Sequence, residues 1–174
     1  IMGRPPQEIE TVSEPFADNP LVFIAAPDHP LARLKRIEPQ RLAKEIFLLR
    51  EPGSGTRAAM ERFLSEHGVV PQRSVEMTSN ETIKQAVMAG MGISFISERT
   101  IALELATHNI ARLNVAGTPL KSQRHAVHLA EKGLLPAAEA FRLFLLKESS
   151  RLIDSPLQGG AQPSAARGSS RARR

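Results

Sequence analysis

The chain has no cysteine, no tryptophan and no tyrosine, and its only aromatic side chains are seven phenylalanines among 174 residues. Without cysteine there are no disulfides, no thiolate nucleophile and no cysteine-based zinc site, a composition suited to a reducing cytoplasm, the expected location. No apolar run approaches the roughly 18 residues that a membrane-crossing helix needs. The opening Ile1-Met2-Gly3-Arg4-Pro5-Pro6 has no basic stretch followed by an apolar one, so no secretory leader is read there. It reads instead as the end of a strand whose earlier partners lie outside the sequence. Catalytic patterns are missing too. Ser54 and Ser94 have no G-x-S-x-G surroundings, the five histidines form no H-x-x-x-H pair, and Glu8, Glu10, Glu14 and Asp18 form no acid–base couple. His125 and His128, three apart in a strand, should face opposite ways. No enzyme activity, cofactor or metal is expected.

What the chain does have is positive charge, +5 overall with a pI near 10.2. Five of its 23 basic residues and one of its 18 acidic ones fall in residues 151–174, a local balance of +4, so the remainder is nearly neutral. The end of the chain, 149–174, is rich in Gly, Pro, Ser, Ala and Arg without apolar periodicity, and reads as a disordered basic tail.

The rest alternates short apolar runs with amphipathic stretches. Strands are read at Val22–Ala26, Ile46–Leu49, Ser74–Thr78, Ile93–Ile96, Ala111–Val115 and Gln123–Ala130. Helices are read at Thr56–His67, after Thr78, at Glu98–Thr107 and from Pro136, the last with Ala137, Phe141, Phe144 and Leu145 turned inward. This order predicts an α/β fold with largely parallel pairing.

Two strand-to-helix loops carry the candidate site. Arg50-Glu51-Pro52-Gly53-Ser54-Gly55-Thr56-Arg57-Ala58 offers free backbone N–H groups and hydroxyls at a positive helix end, a setting for a carboxylate or phosphate, with Arg57 as a further donor if it points at the cleft. The plainer reading is that Gly53 and Gly55 build the turn while Ser54 or Thr56 caps the helix. The residues alone leave both open. The string also matches G-x-G-x-x-A, but that dinucleotide fingerprint belongs to a first strand–helix unit, and here a unit precedes it. Thr78-Ser79-Asn80-Glu81 fits a capping box and repeats the geometry.

Residues 20–32 (PLVFIAAPDHPLA), the loop and helix ending at His67-Gly68, and Glu81–Ile93 (ETIKQAVMAGMGI) resemble LysR-type transcriptional regulators, and the resemblance covers residues 1–148. REPGSGTRAAMERFL and TSNETIKQAVMAGMGISFIS resemble, within that family, the regulators of Calvin–Benson–Bassham carbon dioxide fixation operons. The resemblance implies a two-lobed α/β effector domain of the periplasmic-binding-protein type, with the second lobe complete and the first partial. Residues 1–19 and 98–148 would belong to the first lobe and 20–97 to the second, with crossing strands near Leu21–Ile24 and Phe95–Glu98. It implies a small anionic effector, a phosphorylated metabolite or NADPH, held between the lobes by Arg50, Glu51, Ser54, Gly55, Thr56, Arg57, Ser79, Asn80 and Glu81. It further implies a homo-oligomer (dimer or tetramer), DNA contact only through an N-terminal winged helix-turn-helix absent from this chain, and no membrane association. Competing readings are a transporter's solute-binding protein of the same bilobal fold, and a nucleotide-dependent oxidoreductase using Gly53–Ala58.

Overall fold

A computed structural model describes residues 1–3 and 10–153; Glu8 and residues 154–174 of the expected tail lie outside the described residues, and residues 149–153, expected as its start, are helical instead. The apolar run after Pro20 forms β2 (Leu21–Ala25), whose five residues are all buried, because both of its faces are covered. Leu21, Phe23 and Ala25 face one core and Val22 and Ile24 the other, as strand alternation requires.

The remaining elements are β3 (Ile46–Arg50), α1 (Gly55–Glu66), β4 (Arg73–Met77), α2 (Asn80–Met88), β5 (Ile93–Ser97), the short α3 (Ala102–Ala106) and β6 (Ala111–Arg112). They complete a five-stranded sheet of order β4-β3-β5-β2-β6. Met60, Phe63 and Leu64 of α1 seal one face against Phe23, Phe47 and Phe95. Rings of Phe23 and Phe95 stand 4.6 Å apart and those of Phe23 and Phe63 5.5 Å apart, in tilted contact. Ile83 and Val87 of α2, with Ile101 and Ile110, seal the other face. Each helix therefore presents its 3.6-residue apolar stripe to a sheet buried on both sides.

Pairing is mixed rather than largely parallel. β3 runs parallel to β4 and β5, whereas β2 is antiparallel to β5 and β6. The cause is where the chain enters: β2 starts beside the point where β5 finishes, Leu21 opposite Ser97, so it must run the other way.

A second, two-stranded antiparallel sheet pairs β1 (Thr11–Asp18) with β7 (Gln123–Leu129), irregular between Pro15 and Ala17. Met2 forms an antiparallel bridge with His125. The expected return to the first lobe at residue 98 comes later. Ile101, Ile110, Leu113 and Val115 lie in the cores of the five-stranded sheet and β6 pairs with β2, so the chain crosses back only at residues 120–123. The expected strand Ala111–Val115 shortens to two residues.

α4 (Pro136–Ile153) packs on β1 through Ser149, whose hydroxyl donates to Phe16 O (2.7 Å), and through Arg142, which pairs with Glu14 (2.5 Å) and Glu139 (2.7 Å). Phe141 and Phe144 do not turn inward: they are 53% and 48% exposed, because a two-stranded sheet is too narrow to cover the helix's apolar stripe. Phe141→Ser should therefore change unfolding free energy by less than about 1 kcal/mol, where the fully buried Phe47→Ala should cost about 3–5 kcal/mol. Urea denaturation of the two variants checks the contrast.

Candidate functional site

A cleft of about 1250 Å³ opens where the two sheets meet. Gly55 and Thr56 of α1, Asn80 of α2, and Arg62 line its wall on the five-stranded sheet, and Lys121 and Arg124 line it from the return crossover and β7.

The β3–α1 loop turns at Gly53, whose φ of +88° is readily adopted only by glycine, and Ser54 N–H closes the turn onto Glu51 O (3.2 Å). Ser54 sits at the N-cap of α1 but makes no side-chain cap bond. The first helical bond is Ala58 N–H to Ser54 O, so the N–H groups of Gly55, Thr56 and Arg57 have no partner among the described residues. These donors, at the positive end of a 12-residue helix, are what an anion seeks. α2 is finished differently. Ser79 Oγ accepts from Thr82 N–H (3.1 Å), so the cap lies one residue later than the expected Thr78–Glu81 box. Glu81 instead takes Lys84 (2.7 Å), which holds its carboxyl below the usual carboxylate range.

Arg50 organises the back of the site. Its Nε and one terminal nitrogen grip Glu51 (2.7 Å each) and the other terminal nitrogen donates to Asn80 Oδ1 (2.6 Å). A guanidinium can only donate, so the carboxamide of Asn80 must turn its oxygen to Arg50, leaving its NH2 for the cleft. The same grip lowers the Glu51 carboxyl to about 2. A carboxyl lowered on folding contributes above its ordinary 4.5 and loses that contribution only as pH falls toward 2. The Arg50–Glu51 pair should thus stay intact at pH 4, with a Glu51 carboxyl midpoint near 2 by NMR titration.

Arg57 does not point at the cleft. It is held by Glu61 (2.8 Å), Glu76 (2.8 Å) and Arg50 O (3.0 Å), an (i, i+4) pair plus a clamp on β4. Of the nine residues expected at the site, Gly55, Thr56 and Asn80 line the cleft, and Arg50, Glu51, Ser54, Arg57, Ser79 and Glu81 do not. Sequence reasoning missed Arg62, Lys121 and Arg124. For Arg62 a signal existed: residues 55, 58, 59 and 62 share one helix face, here Gly, Ala, Ala, Arg, and all four line the cleft. Lys121 and Arg124 come from the return crossover and β7, about 60 residues beyond Arg62, which no local pattern marks.

Arg62 and Lys121 are exposed and make no hydrogen bond or ion pair among the described residues. Arg124 makes one, from Nε to Asn19 Oδ1 (3.3 Å). Three cations face a single lining acid, Asp18. Nothing here resembles a catalytic constellation: Ser94 Oγ is committed to Leu48 O (2.7 Å), and His29, His67 and His125 have ring-nitrogen partners in Leu31 N–H, Phe63 O and Ser13. No group of three or more His, Asp or Glu that could hold a metal occurs among the described residues.

Comparison with known proteins decides the family. Residues 1–150 match the LysR substrate binding domain. The chain belongs to the LysR substrate-binding domain family. It is 48% identical over 163 residues to the HTH-type transcriptional regulator CfxR of Cupriavidus necator, 94% of this chain and 51% of that protein. It is 51% identical over 152 residues to a RuBisCO operon transcriptional regulator of Allochromatium vinosum, 87% of this chain and 50% of that protein. The chain thus spans about half the length of these relatives. Among solved structures, the regulatory domain of Synechocystis CcmR in complex with 2-PG superposes with a TM-score of 0.77 at 40% identity, covering 83% of this chain and 70% of that one. Within this family the chain is similar to RuBisCO operon regulators, and its α/β architecture is that of the family's two-lobed regulatory domains. No helix among the described residues is long and apolar enough to cross a membrane.

Proposed function

We propose that the chain is the effector-sensing part of a LysR-type regulator of carbon-fixation genes, taking a small anionic, phosphorylated metabolite into the cleft between its sheets. The observation that carries this is that the start of α1, which has no side-chain cap, lines one cleft with three cations, from α1, the return crossover and β7. Unpaired N–H groups supply directed donors, and Arg62, Lys121 and Arg124 supply charge from two sides. A related regulatory domain holding 2-PG supports the same class of ligand. Gly55, Thr56 and Asn80 would contact the effector, while Arg50 and Glu51 hold Asn80 in its donating orientation. The effector works by favouring one arrangement of the lobes over another. The whole regulator acts as a cytoplasmic dimer or tetramer and touches DNA through an N-terminal winged helix-turn-helix outside this chain. It is not an enzyme.

A thermal-shift panel tests the reading, with 2-PG, ribulose 1,5-bisphosphate, phosphoenolpyruvate, ATP, NADPH and inorganic phosphate as probes. A ligand that binds only the folded state must raise its melting temperature, because it adds about 2.7 kcal/mol of stability at a hundred times its Kd. One metabolite should give a saturable rise well above that of phosphate. Equal rises with every probe would reduce the cleft to a non-selective anion trap and end the sensor assignment.

A further inference from the structure

Two crossovers join the sheets, residues 18–21 and 120–123, and they are paired to each other. Leu21 N–H donates to Leu120 O (3.0 Å), Leu120 N–H to Leu21 O (2.8 Å), and Asn19 N–H to Ser122 O (2.8 Å). Such a pair of strands resists being pulled apart but leaves twist about its own axis open, which is how hinges in two-lobed proteins absorb closure. Resisting that twist takes side-chain bonds to elements on both sides of the axis.

Asn19 makes them. Its Oδ1 accepts from Ser97 Oγ (2.6 Å), the last residue of β5 in the larger sheet, and from Arg124 Nε (3.3 Å) on β7 in the smaller one. Ser97 is buried, so its hydroxyl has no ready exchange with water when that bond opens. The two terminal nitrogens of Arg124 have no partner among the described residues, and the residue lines the cleft. One guanidinium therefore has one edge on the latch and the other toward the space where an anion would sit.

We propose that the Asn19 carboxamide is a latch that fixes the angle between the two sheets, and that an anion bound in the cleft works the latch by drawing Arg124 away. The second half rests on the reading of the cleft as an effector site. A neutral acceptor at 3.3 Å competes poorly with a charge-assisted, two-pronged anion contact to the same guanidinium, so occupancy shifts the population of lobe angles.

The absence of cysteine makes the test clean. Nitroxide labels at Ser74→Cys on β4 and Val12→Cys on β1, both exposed and on opposite sides of the latch, report the inter-sheet distance by pulsed electron paramagnetic resonance. Without ligand the parent chain should give one narrow distribution. Asn19→Ala should broaden it, raising the population of other angles about fivefold, the worth of one net hydrogen bond. Asn19→Asp, which keeps an acceptor for both donors, should stay narrow. Adding 2-PG should move the parent distribution and move Asn19→Ala less. Identical ligand-free distributions for parent and Asn19→Ala would overturn the latch, whatever the cleft binds. If Asn19→Ala does not fold, Ser97→Ala removes one donor instead, and an unbroadened distribution there overturns it equally. Calorimetry on the same samples separates the two ideas: no 2-PG binding to the parent would overturn the cleft reading and the anion's part in the proposal, while ligand-free broadening would still support the latch.

Discussion

Gly92→Ala should lower the unfolding free energy by about 3 kcal/mol or more. A Cβ at that position would sit 2.3 Å from Ile46 O and 3.1 Å from both the carbonyl carbon and Cβ of Ile46. The nearest atom is backbone, so no side chain can swing aside. Ile46 opens β3, and the next residue, Phe47, pairs in parallel with Ile93, which follows Gly92. Relief therefore means prising β3 from β5 in the middle of the five-stranded sheet, beside the fully buried Phe47 and Ile93. Overpacking against a flexible neighbour costs about 1–3 kcal/mol, and against fixed backbone it should reach the top of that range or pass it. Whole domains are stable by only about 5–15 kcal/mol. Gly133→Ala is the control, since nothing lies within 4 Å of its added Cβ, and it should stay within about 0.5 kcal/mol of the parent. Denaturant midpoints followed by circular dichroism read both.

Removing the ammonium of Lys84 should be nearly as damaging, by a different route. Lys84 on α2 and Glu104 on α3 meet at 2.7 Å with side chains only 12% exposed each, and Glu81 shares the same ammonium. The second oxygen of Glu104 is buried without a hydrogen-bond partner among the described residues. Lys84→Met would strand a carboxylate that is already half-satisfied, which should cost about 3 kcal/mol. The double variant Lys84→Met with Glu104→Leu should recover most of that loss, because it removes the stranded charge and leaves an apolar contact. Additive losses in the double variant would contradict this account. Glu104 and Glu81 raise the Lys84 pKa above its ordinary 10.5, so the pair's contribution is complete below that pH and fades only as pH rises beyond it. Stability measured between pH 7 and 10 should show no step from this pair.

The legible parts of the fold are those set by nearest neighbours. Val22–Ala26 and Ile46–Leu49 are continuous apolar runs, and Ile93–Ile96 is broken only by Ser94, whose hydroxyl donates to Leu48 O, because both sheet faces are covered. Gly68, with φ of +64°, ends α1 where its position just past the apolar stripe said it should. Strand direction was not legible, since β2 is turned by where the chain enters the sheet, a property of the whole topology. Nor was the fate of Phe141 and Phe144: their helical spacing marks an apolar face but says nothing about how wide a surface is there to receive it.

The backbone of the candidate site was legible, and the pairing of its charges was not. A glycine-rich turn before a helix announces N–H groups without helical partners, and those of Gly55 and Thr56 have none among the described residues. Which arginine faces the ligand depends on partners far along the chain. Glu61 and Glu76 pair with Arg57, while Arg62 projects from the small-residue face of α1 with no carboxylate partner among the described residues. Arg50, expected to touch the effector, donates to Asn80 Oδ1 and does not line the cleft.

Arg62 of α1, Lys121 of the return crossover, Arg124 of β7 and the open end of α1 should together hold one anionic ligand. Isothermal titration calorimetry with 2-PG tests it most directly, comparing the parent chain with Arg62→Gln/Lys121→Gln/Arg124→Gln. Charge-assisted hydrogen bonds are worth about 1.5–3 kcal/mol each, so the triple variant should bind at least about a hundredfold more weakly while unfolding at the same denaturant midpoint. Equal affinity in parent and variant would contradict the account, because the ligand would then be held by something other than this cleft.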